Sequence, residues 1–552
     1  MRAPLLAAVL SAALIACQGS APDVPPNTLS ISVEQTSAWV RNFNPLTPGQ
    51  PRFPTRAGVH EPLLLFNSME TEWKPWLATS YAWGEGNRSL TYTLREGVRW
   101  SDGEAFDARD VVFTFELLRD TAGLDQRGVW SFLEGVEALG THTVRFTFSR
   151  LFIPGFGDLS HQPIVPEHVW SGVEDPLTFT NPEPVGTGPF TEIRTFQNQI
   201  YEVARNPHYW QEGRPAVEAL RFLAYPSNDQ ANLALVEGSV DWAANFVPAV
   251  ERTFVARDPE HYHYWFPPLG SMVFFYANTQ RAPFDDVRVR KALSMALDRE
   301  RIVEIAMYGY TEPADASALH DGYRRWRRAL DPEDDWTRFD VAQANALLDE
   351  AGLARGPDGV RRMPDGEPLR YELDVVSGWS DWVRAGQVIS RQLEAVGVEV
   401  QLAPREFGAW FAALQRGEFD LAIAWSNDGE TPYVVYRWMM SEATSQPIGE
   451  PSPGNWHRFA DPGVDALLTA YEASSDDAVH DGIIEELQER FVAAAPAIPL
   501  FPNPVWAAYS TRRFEGFPSP EDPYAKPSPN NEPECLFVLT SVRPRTSEEA
   551  AP

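Results

Sequence analysis

The sequence predicts an α/β protein with at least two lobes. Between about residue 371 and residue 425, strand and helix patterns alternate in the order β-α-β-α-β, which is typical of a parallel sheet. The chain has 552 residues, too many for one compact core. Hydrophobic residues make up 43% of it and aromatic residues 12%. These contents supply ample apolar surface for burial, so we do not expect a disordered protein.

The alternating stretch is read from its hydrophobic periods. Its predicted elements, in order, are a strand at 371–375, a helix at about 381–396, a strand at 398–402, a helix at about 407–415 and a strand at 419–425. In such sheets, ligands bind beyond the carboxyl ends of the strands. The loops 378–381 and 426–431 emerge there and are the candidate ligand-binding loops.

A further helix is predicted in the middle of the chain. Asp285 or Asp286 is its expected N-cap, and Val289 and Leu293 contribute to its apolar stripe. Gly309 suits the left-handed residue that ends a helix. The pattern therefore predicts one continuous helix from the cap to about residue 308.

The N-terminus carries an apolar run at 5–15, too short to cross a bilayer, which indicates a signal peptide. Cys17 follows this run directly and resembles the cleavage site of bacterial lipoproteins, in which the cysteine is acylated. We therefore expect a lipid anchor at Cys17, a flexible tether at 18–27 and an extracytoplasmic location. An ordinary secretory signal that contains a cysteine is the alternative. Residues 546–552 are expected to form a frayed tail.

Composition excludes several classes of function. The formal net charge is −31, which disfavours nucleic acid and anionic lipid surfaces as partners. With Cys17 acylated, Cys535 is left alone, so no disulfide framework is expected. The 10 histidines show no spacing typical of a metal site, and we find no nucleophile elbow or zinc-protease motif. We therefore expect no enzyme activity, no cofactor and no directly bound metal.

Four sequence motifs resemble motifs of a known protein family. They are Trp-Lys-Pro-Trp-Leu-Ala at 73–78, Leu-Arg-Glu-Gly-Val-Arg-Trp-Ser-Asp-Gly at 94–103 followed by Asp-Val-Val-Phe at 110–113, Val-Gly-Thr-Gly-Pro-Phe at 185–190, and Pro-Phe-Asp-Asp-Val-Arg-Val-Arg-Lys-Ala-Leu at 283–293. Together and in this order, they resemble the family 5 extracellular solute-binding proteins. Members of that family are the receptors of peptide and nickel ABC importers.

The resemblance implies the two-lobed periplasmic-binding-protein fold of class II type, with an extra domain inserted in the first lobe. By analogy the first lobe takes 28–63, 185–276 and 502–545, the inserted domain takes 64–184, and the second lobe takes 277–501. The chain is expected to cross between lobes at Tyr276 and Asn278 and again at Phe501 and Pro502. Two crossings form a hinge about which the lobes close.

The resemblance also suggests ligand-binding residues. In oligopeptide receptors an acidic residue three positions after a tryptophan, at this strand end, pairs with the α-ammonium of the peptide. Trp425 and Asp428 have this spacing, and a carboxylate facing a desolvated ammonium forms a strong hydrogen bond. The alternative is that Asp428 only serves the turn in which Asn427 precedes it. Asn427, Trp379 and Tyr433 complete the predicted ligand-binding residues, and Trp379 and Tyr433 are expected to be aromatic contacts.

The expected function is therefore capture of oligopeptides and delivery to a permease and its ATPase, by a monomer attached to the membrane only through lipid. The loop from Trp425 to Tyr433 is also similar to that of family members that bind oligosaccharides, so β-linked sugars are the alternative ligand. Sugars are held by stacking on aromatic faces and by polar side chains. From other classes, an extracytoplasmic hydrolase or a sensor lipoprotein remains possible.

Overall fold

The computed structural model of the chain describes residues 25–33, 35–47 and 56–545. The predicted acylation site Cys17, residues 18–24 of the predicted tether and the predicted tail 546–552 lie outside the described residues. Among the helices that are described, none is both long enough and apolar enough to cross a membrane.

A seven-stranded sheet forms the centre of the first lobe. Its strands, in spatial order, are Tyr262–Tyr264, Ala508–Ser510, Trp242–Ala243, Thr28–Ser32, Ala219–Leu223, Ile200–Arg205 and Phe190–Gln197. Thr28–Ser32 is parallel to both of its neighbours, and the other pairs are antiparallel. Helices of this lobe are Arg56–Val59, Asn228–Val236, Val250–Thr253 and Cys535–Ser541. Short ladders join Leu64–Asn67 to Glu72–Pro75 and Phe514–Glu515 to Arg543–Pro544.

The inserted domain is built on a four-stranded antiparallel sheet, ordered Ala78–Trp83, Ser89–Leu94, Thr143–Phe148 and Leu133–Gly140. Its helices are Ala108–Asp120, Gly155–Ser160 and Glu167–Trp170. Buried side chains of this sheet and of the seven-stranded sheet belong to one continuous hydrophobic core. The inserted domain therefore packs as part of the first lobe.

A five-stranded sheet forms the second lobe, in the order Glu399–Arg405, Arg370–Val376, Leu421–Trp425, Met272–Ala277 and Ile498–Pro502. The first three strands are mutually parallel, and the helices Ser380–Ala395 and Phe407–Arg416 connect them. This confirms the predicted β-α-β-α-β unit. The other helices of the lobe are Val287–Met295, Arg299–Ala306, Val341–Glu350, Pro432–Met440, Pro462–Glu472 and Asp477–Ala494.

The predicted hinge residues lie in or next to paired strands of the second-lobe sheet. Tyr276 lies within the strand Met272–Ala277, and Phe501 and Pro502 lie within the strand Ile498–Pro502, which pairs with it. Asn278 is fully buried and donates a hydrogen bond to the Gly417 carbonyl at 2.8 Å. Hinge residues lie in loops or at the ends of elements, and Pro502 is the last residue of its strand. The predicted hinge stays a prediction, while the predicted first-lobe range 185–276 includes the strand Met272–Ala277 of the second sheet.

The lobes are joined by two segments, 265–271 and 503–507, that run side by side. Trp265 N–H donates to the Ala507 carbonyl at 2.9 Å, and Gly270 N–H donates to the Asn503 carbonyl at 2.9 Å. A Cβ on Gly270 would lie 2.5 Å from the Asn503 oxygen, so only glycine allows this approach. We call 265–271 and 503–507 the crossing segments.

Candidate ligand-binding cleft

Seven aromatic side chains form a cluster at the carboxyl ends of the second-lobe strands: Trp379, Trp382, Phe407, Trp410, Phe411, Trp425 and Trp456. Ring centroids within it lie between 4.8 and 6.3 Å apart. Trp379 and Trp425 are half-buried, whereas the other five are buried. The Nε1 atoms of Trp379 and Trp410 are buried, and no group in the described residues accepts a hydrogen bond from them. An unpaired buried N–H is costly, so these two donors lack an acceptor that a ligand could provide.

Asp428 lies in the loop that follows the strand Leu421–Trp425, as predicted from its position. Ser426 donates its hydroxyl proton to Asp428 Oδ1 at 3.2 Å. The Nε2 atom of His320 lies 3.5 Å from Asp428 Oδ2. The carboxylate keeps 26% of its side-chain area exposed, so it is accessible although Ser426 bonds one oxygen and His320 lies near the other.

Two tyrosine hydroxyls hold the backbone of this loop. Tyr276 donates to the Trp425 carbonyl at 3.1 Å, immediately before the loop. Tyr323 donates to the Gly429 carbonyl at 2.7 Å and accepts from the Gly429 N–H at 3.1 Å. Both tyrosines are buried. Neither was predicted as part of the site, because each is distant from the loop in sequence.

The other predicted site residues have different surroundings. Trp379 and Trp425 are neighbours, with ring centroids 6.0 Å apart. Asn427 directs its amide toward Gly454, where a Cβ would lie 2.5 Å from Nδ2. Tyr433 is buried, stacks on Tyr471, and donates its hydroxyl proton to a glutamate at 2.7 Å. The ring and hydroxyl of Tyr433 thus both have protein partners, which favours a packing role for it.

The two lobes touch near the crossing segments. Asn228 of the first lobe donates its backbone N–H to the Gly378 carbonyl at 3.1 Å and its amide to Asp381 Oδ1 at 3.3 Å. Burial raises the pKa of Asp381 to about 6. Beside this contact, the Arg384 guanidinium lies 4.9 Å from the ring of Phe246 in the first lobe and 5.3 Å from the ring of Tyr308. The candidate loop 378–381 therefore contributes a contact between the lobes.

A second contact joins the inserted domain to the second lobe and centres on Glu472. Arg150 donates to Glu472 Oε2 at 2.7 Å, and Ile153 N–H donates to the Glu472 carbonyl at 3.1 Å. From within the second lobe, Tyr433 donates to Glu472 Oε1 at 2.7 Å. We call this the Glu472 contact.

Acidic side chains meet beside the Glu472 contact. Asp158 of the inserted domain and Glu430 of the second lobe retain 29% and 31% of their side-chain areas. Desolvation nevertheless raises the pKa of both carboxyls, and for Glu430 the Asp158 charge raises it further. Burial and the Arg127 charge lower the pKa of the neighbouring His161 to about 3. The carboxyls of Asp158 and Glu430 thus both bind a proton more readily than a free carboxyl does.

No group of three or more histidine, cysteine, aspartate or glutamate residues in the described chain is arranged to hold a metal ion. The candidate cleft thus combines an aromatic cluster, an accessible carboxylate and unpaired hydrogen-bond donors.

Comparison with known proteins places the chain in a family. The family model described as "Bacterial extracellular solute-binding proteins, family 5 Middle" matches residues 72–447, more than half of the sequence. The chain belongs to this family. The resemblance seen in the sequence motifs is thereby confirmed.

Several members of family 5 are similar over most of the chain. The nickel-binding periplasmic protein of Escherichia coli (strain K12) is 27% identical over 75% of this chain and 78% of its own length. The periplasmic oligopeptide-binding protein OppA of Salmonella typhimurium (strain LT2) is 24% identical over 90% of this chain and 92% of its own. A solved structure of a Thermotoga maritima periplasmic oligopeptide-binding protein with bound mannohexaose gives a TM-score of 0.85 at 26% identity. It covers 95% of this chain and 99% of that one. The two-lobed α/β fold class is confirmed.

Proposed function

We propose that this family 5 protein is the receptor of an ABC importer, which captures oligopeptides between its closing lobes and delivers them to permease and ATPase subunits. The observation that carries the proposal is the Asp428 carboxylate, which is accessible at the end of a parallel strand, accepts a hydrogen bond from Ser426 and has His320 beside it. A ligand ammonium would complete its hydrogen bonds. The similarity to an oligopeptide-binding protein over 90% of the chain supports the same ligand class.

Closure of the lobes supplies the affinity in this proposal. The half-buried faces of Trp379 and Trp425 contact ligand side chains, and the desolvated surroundings strengthen the charge-assisted bond at Asp428. The half-buried Trp379 also has an unpaired indole N–H, which would become a donor for a ligand carbonyl after a small rearrangement. No covalent step is involved.

Exchange of Asp428 for asparagine tests the proposal, because it removes the charge and keeps the shape. Asp428→Asn is expected to weaken free-amine peptides by about 10- to 100-fold, the value of one charge-assisted hydrogen bond. Binding of the same peptides with an acetylated N-terminus is expected to change little. Isothermal titration of both peptide forms measures this, and equal losses for the two would reject the role of Asp428.

Oligosaccharide is the second candidate ligand, supported by the aromatic cluster with its two unpaired indole N–H groups and by the mannohexaose-bound relative. Thermal unfolding of the protein lacking residues 1–17 separates the candidates, with one panel of peptides and one of β-linked oligosaccharides. A ligand at 100 times its Kd adds about 2.7 kcal/mol of stability. Stabilisation by sugars alone would indicate an oligosaccharide site formed mainly by the tryptophans. Chemical turnover of either ligand would indicate a hydrolase.

We also propose that Cys17 anchors the protein to the membrane from the extracytoplasmic side, with the folded part monomeric. The support is the apolar run at 5–15 that precedes this cysteine. Cys17→Ser is expected to move the protein from the membrane fraction to the soluble extracytoplasmic fraction. An unchanged membrane fraction would contradict the anchor.

A further inference from the structure

We propose that His320 is the positioning residue for Asp428, and that it orients the carboxylate toward the ligand ammonium. The inference rests on the proposed function, since it concerns how the ammonium-binding carboxylate is held. No local pattern in the sequence links the two residues. The fold brings them to 3.5 Å, measured from His320 Nε2 to Asp428 Oδ2.

The hydrogen bonds of His320 define its tautomer. The imidazole stands before the short 3-10 helix Asp321–Tyr323, and Gly322 N–H donates to its Nδ1 atom at 3.0 Å. Because Nδ1 acts as an acceptor, the proton of the neutral imidazole is on Nε2. A Cβ on Gly322 would lie 2.6 Å from His320 Cε1, so a glycine is required at this point. The donor atom Nε2 is therefore the one that lies 3.5 Å from Asp428 Oδ2.

His320 has little freedom to turn away. Its side chain is 7% exposed, and the ring of Tyr323 lies 4.6 Å from the imidazole, centroid to centroid. No group of the described chain accepts a hydrogen bond from Nε2 at hydrogen-bonding distance. The Asp428 carboxylate lies 3.5 Å away, and a small shift of either side chain would shorten this contact to a hydrogen bond.

The carboxylate is thus approached on both oxygens, by the Ser426 hydroxyl on Oδ1 and by His320 on Oδ2. An ionised carboxylate offers about four acceptor sites, so about two stay open for the N–H groups of a ligand. A fixed carboxylate also loses less rotamer entropy when the ligand binds. The Tyr323 hydroxyl fixes the backbone of Gly429. The short segment 320–323 therefore contacts both the Asp428 side chain and the backbone of its loop.

Two substitutions separate positioning from folding. His320→Asn keeps an oxygen that can accept from Gly322 N–H in an Asx turn, and it is too short to reach Asp428. Tyr323→Phe removes the hydroxyl that holds Gly429. Tyr524→Phe is the matched control, because it also removes a hydroxyl that donates to a glycine carbonyl at 2.7 Å, that of Gly516 in the first lobe.

The first measurement is the Kd of the tightest free-amine peptide in a tri- to pentapeptide panel and of its N-acetylated form. His320→Asn and Tyr323→Phe are expected to weaken the free-amine form about 5- to 10-fold, the value of one neutral hydrogen bond, and to leave the acetylated form within twofold. Tyr524→Phe is expected to change neither. An equal loss for both peptide forms, or no loss, would overturn the positioning role.

The second measurement needs no ligand. Long-range ¹H–¹⁵N correlation spectra of the full protein report the tautomer of His320, assigned by its absence in His320→Asn. The expected result is the Nε2–H tautomer, with a shift of its Nε2 resonance in Asp428→Asn. A proton on Nδ1, or an Nε2 resonance that does not shift in Asp428→Asn, would overturn the positioning role even if peptides bind. If no peptide binds while the spectra follow expectation, the proposed function fails instead.

Discussion

At the scale of single residues, the Glu61 carboxyl has a strongly raised pKa outside the cleft. It is fully buried and accepts hydrogen bonds from Trp76 Nε1 at 2.7 Å, Tyr209 OH at 3.1 Å and Trp210 Nε1 at 3.1 Å. Burial raises the pKa of this carboxyl to about 7 in spite of these donors. The donors come from the inserted domain and from the first lobe, so Glu61 links the two parts.

Stability is therefore expected to depend on pH through Glu61. A raised folded pKa means that the folded protein binds the proton more tightly than the unfolded chain. The stabilisation is then complete below about pH 4.5 and is lost as the pH rises through about 7. The loss amounts to about 3 kcal/mol. Urea unfolding at several pH values measures it in the wild type.

Glu61→Gln is expected to remove this pH dependence, because the amide does not titrate. Between pH 4.5 and pH 7, the free energy of unfolding of the wild type should fall relative to that of Glu61→Gln. The exposed Glu104, changed to glutamine, is the control and should follow the wild type. A pH profile of Glu61→Gln parallel to the wild type would contradict the role of Glu61.

The residue scale also shows what sequence can and cannot predict. Asp428 was found because its spacing from Trp425 matches a family pattern. Glu61 and His320 have no such local pattern, since their partners are distant in the chain and the sequence contains 77 acidic residues. Burial of a charged group depends on tertiary packing, so it becomes visible only in the fold.

At the scale of elements, the predicted single helix up to residue 308 is divided. The structure has Val287–Met295, capped by Asp286 as predicted, and then Arg299–Ala306, whose N-cap is Asp298. Arg299 is buried and donates to the carbonyls of Pro499 and Thr337, each at 2.8 Å. The apolar period continues through the break without glycine or proline, so the sequence alone could not reveal it.

Asp298→Ala is expected to cost about 1 kcal/mol of stability, because it removes the side-chain acceptor for the Arg301 N–H, which lies 3.0 Å away. Chemical unfolding measures the loss. Asp298→Asn keeps an acceptor oxygen and should recover most of it. A full loss in Asp298→Asn would show that the charge matters and the cap does not.

At the scale of the whole molecule, the lobes meet in two regions, near the crossing segments and at the Glu472 contact. The order of the motifs and the parallel unit predicted the two lobes correctly. The analogy placed one crossing inside the strand Met272–Ala277, because the sequence does not show that this strand is paired on both sides within the second-lobe sheet. Contacts between lobes were also beyond prediction, since they join surfaces far apart in the chain.

A disulfide between Ile153→Cys and Glu472→Cys is expected to lock the cleft. The backbone hydrogen bond between these residues, at 3.1 Å, brings their Cα atoms within the range that a disulfide spans. The oxidised double variant should take up no peptide, and dithiothreitol should restore uptake. Each single variant serves as a control for loss of the native side chain. Unchanged uptake at complete thiol oxidation would contradict a closing motion at this contact.

The continuous core between the inserted domain and the seven-stranded sheet has a mechanical consequence. Because the inserted domain shares that core, we expect it to move with the first lobe as one rigid body. It carries Arg150 and Ile153, which contact Glu472 of the second lobe. A rotation about the crossing segments would therefore break the Glu472 contact, and the shared core makes the inserted domain part of the surface that closes.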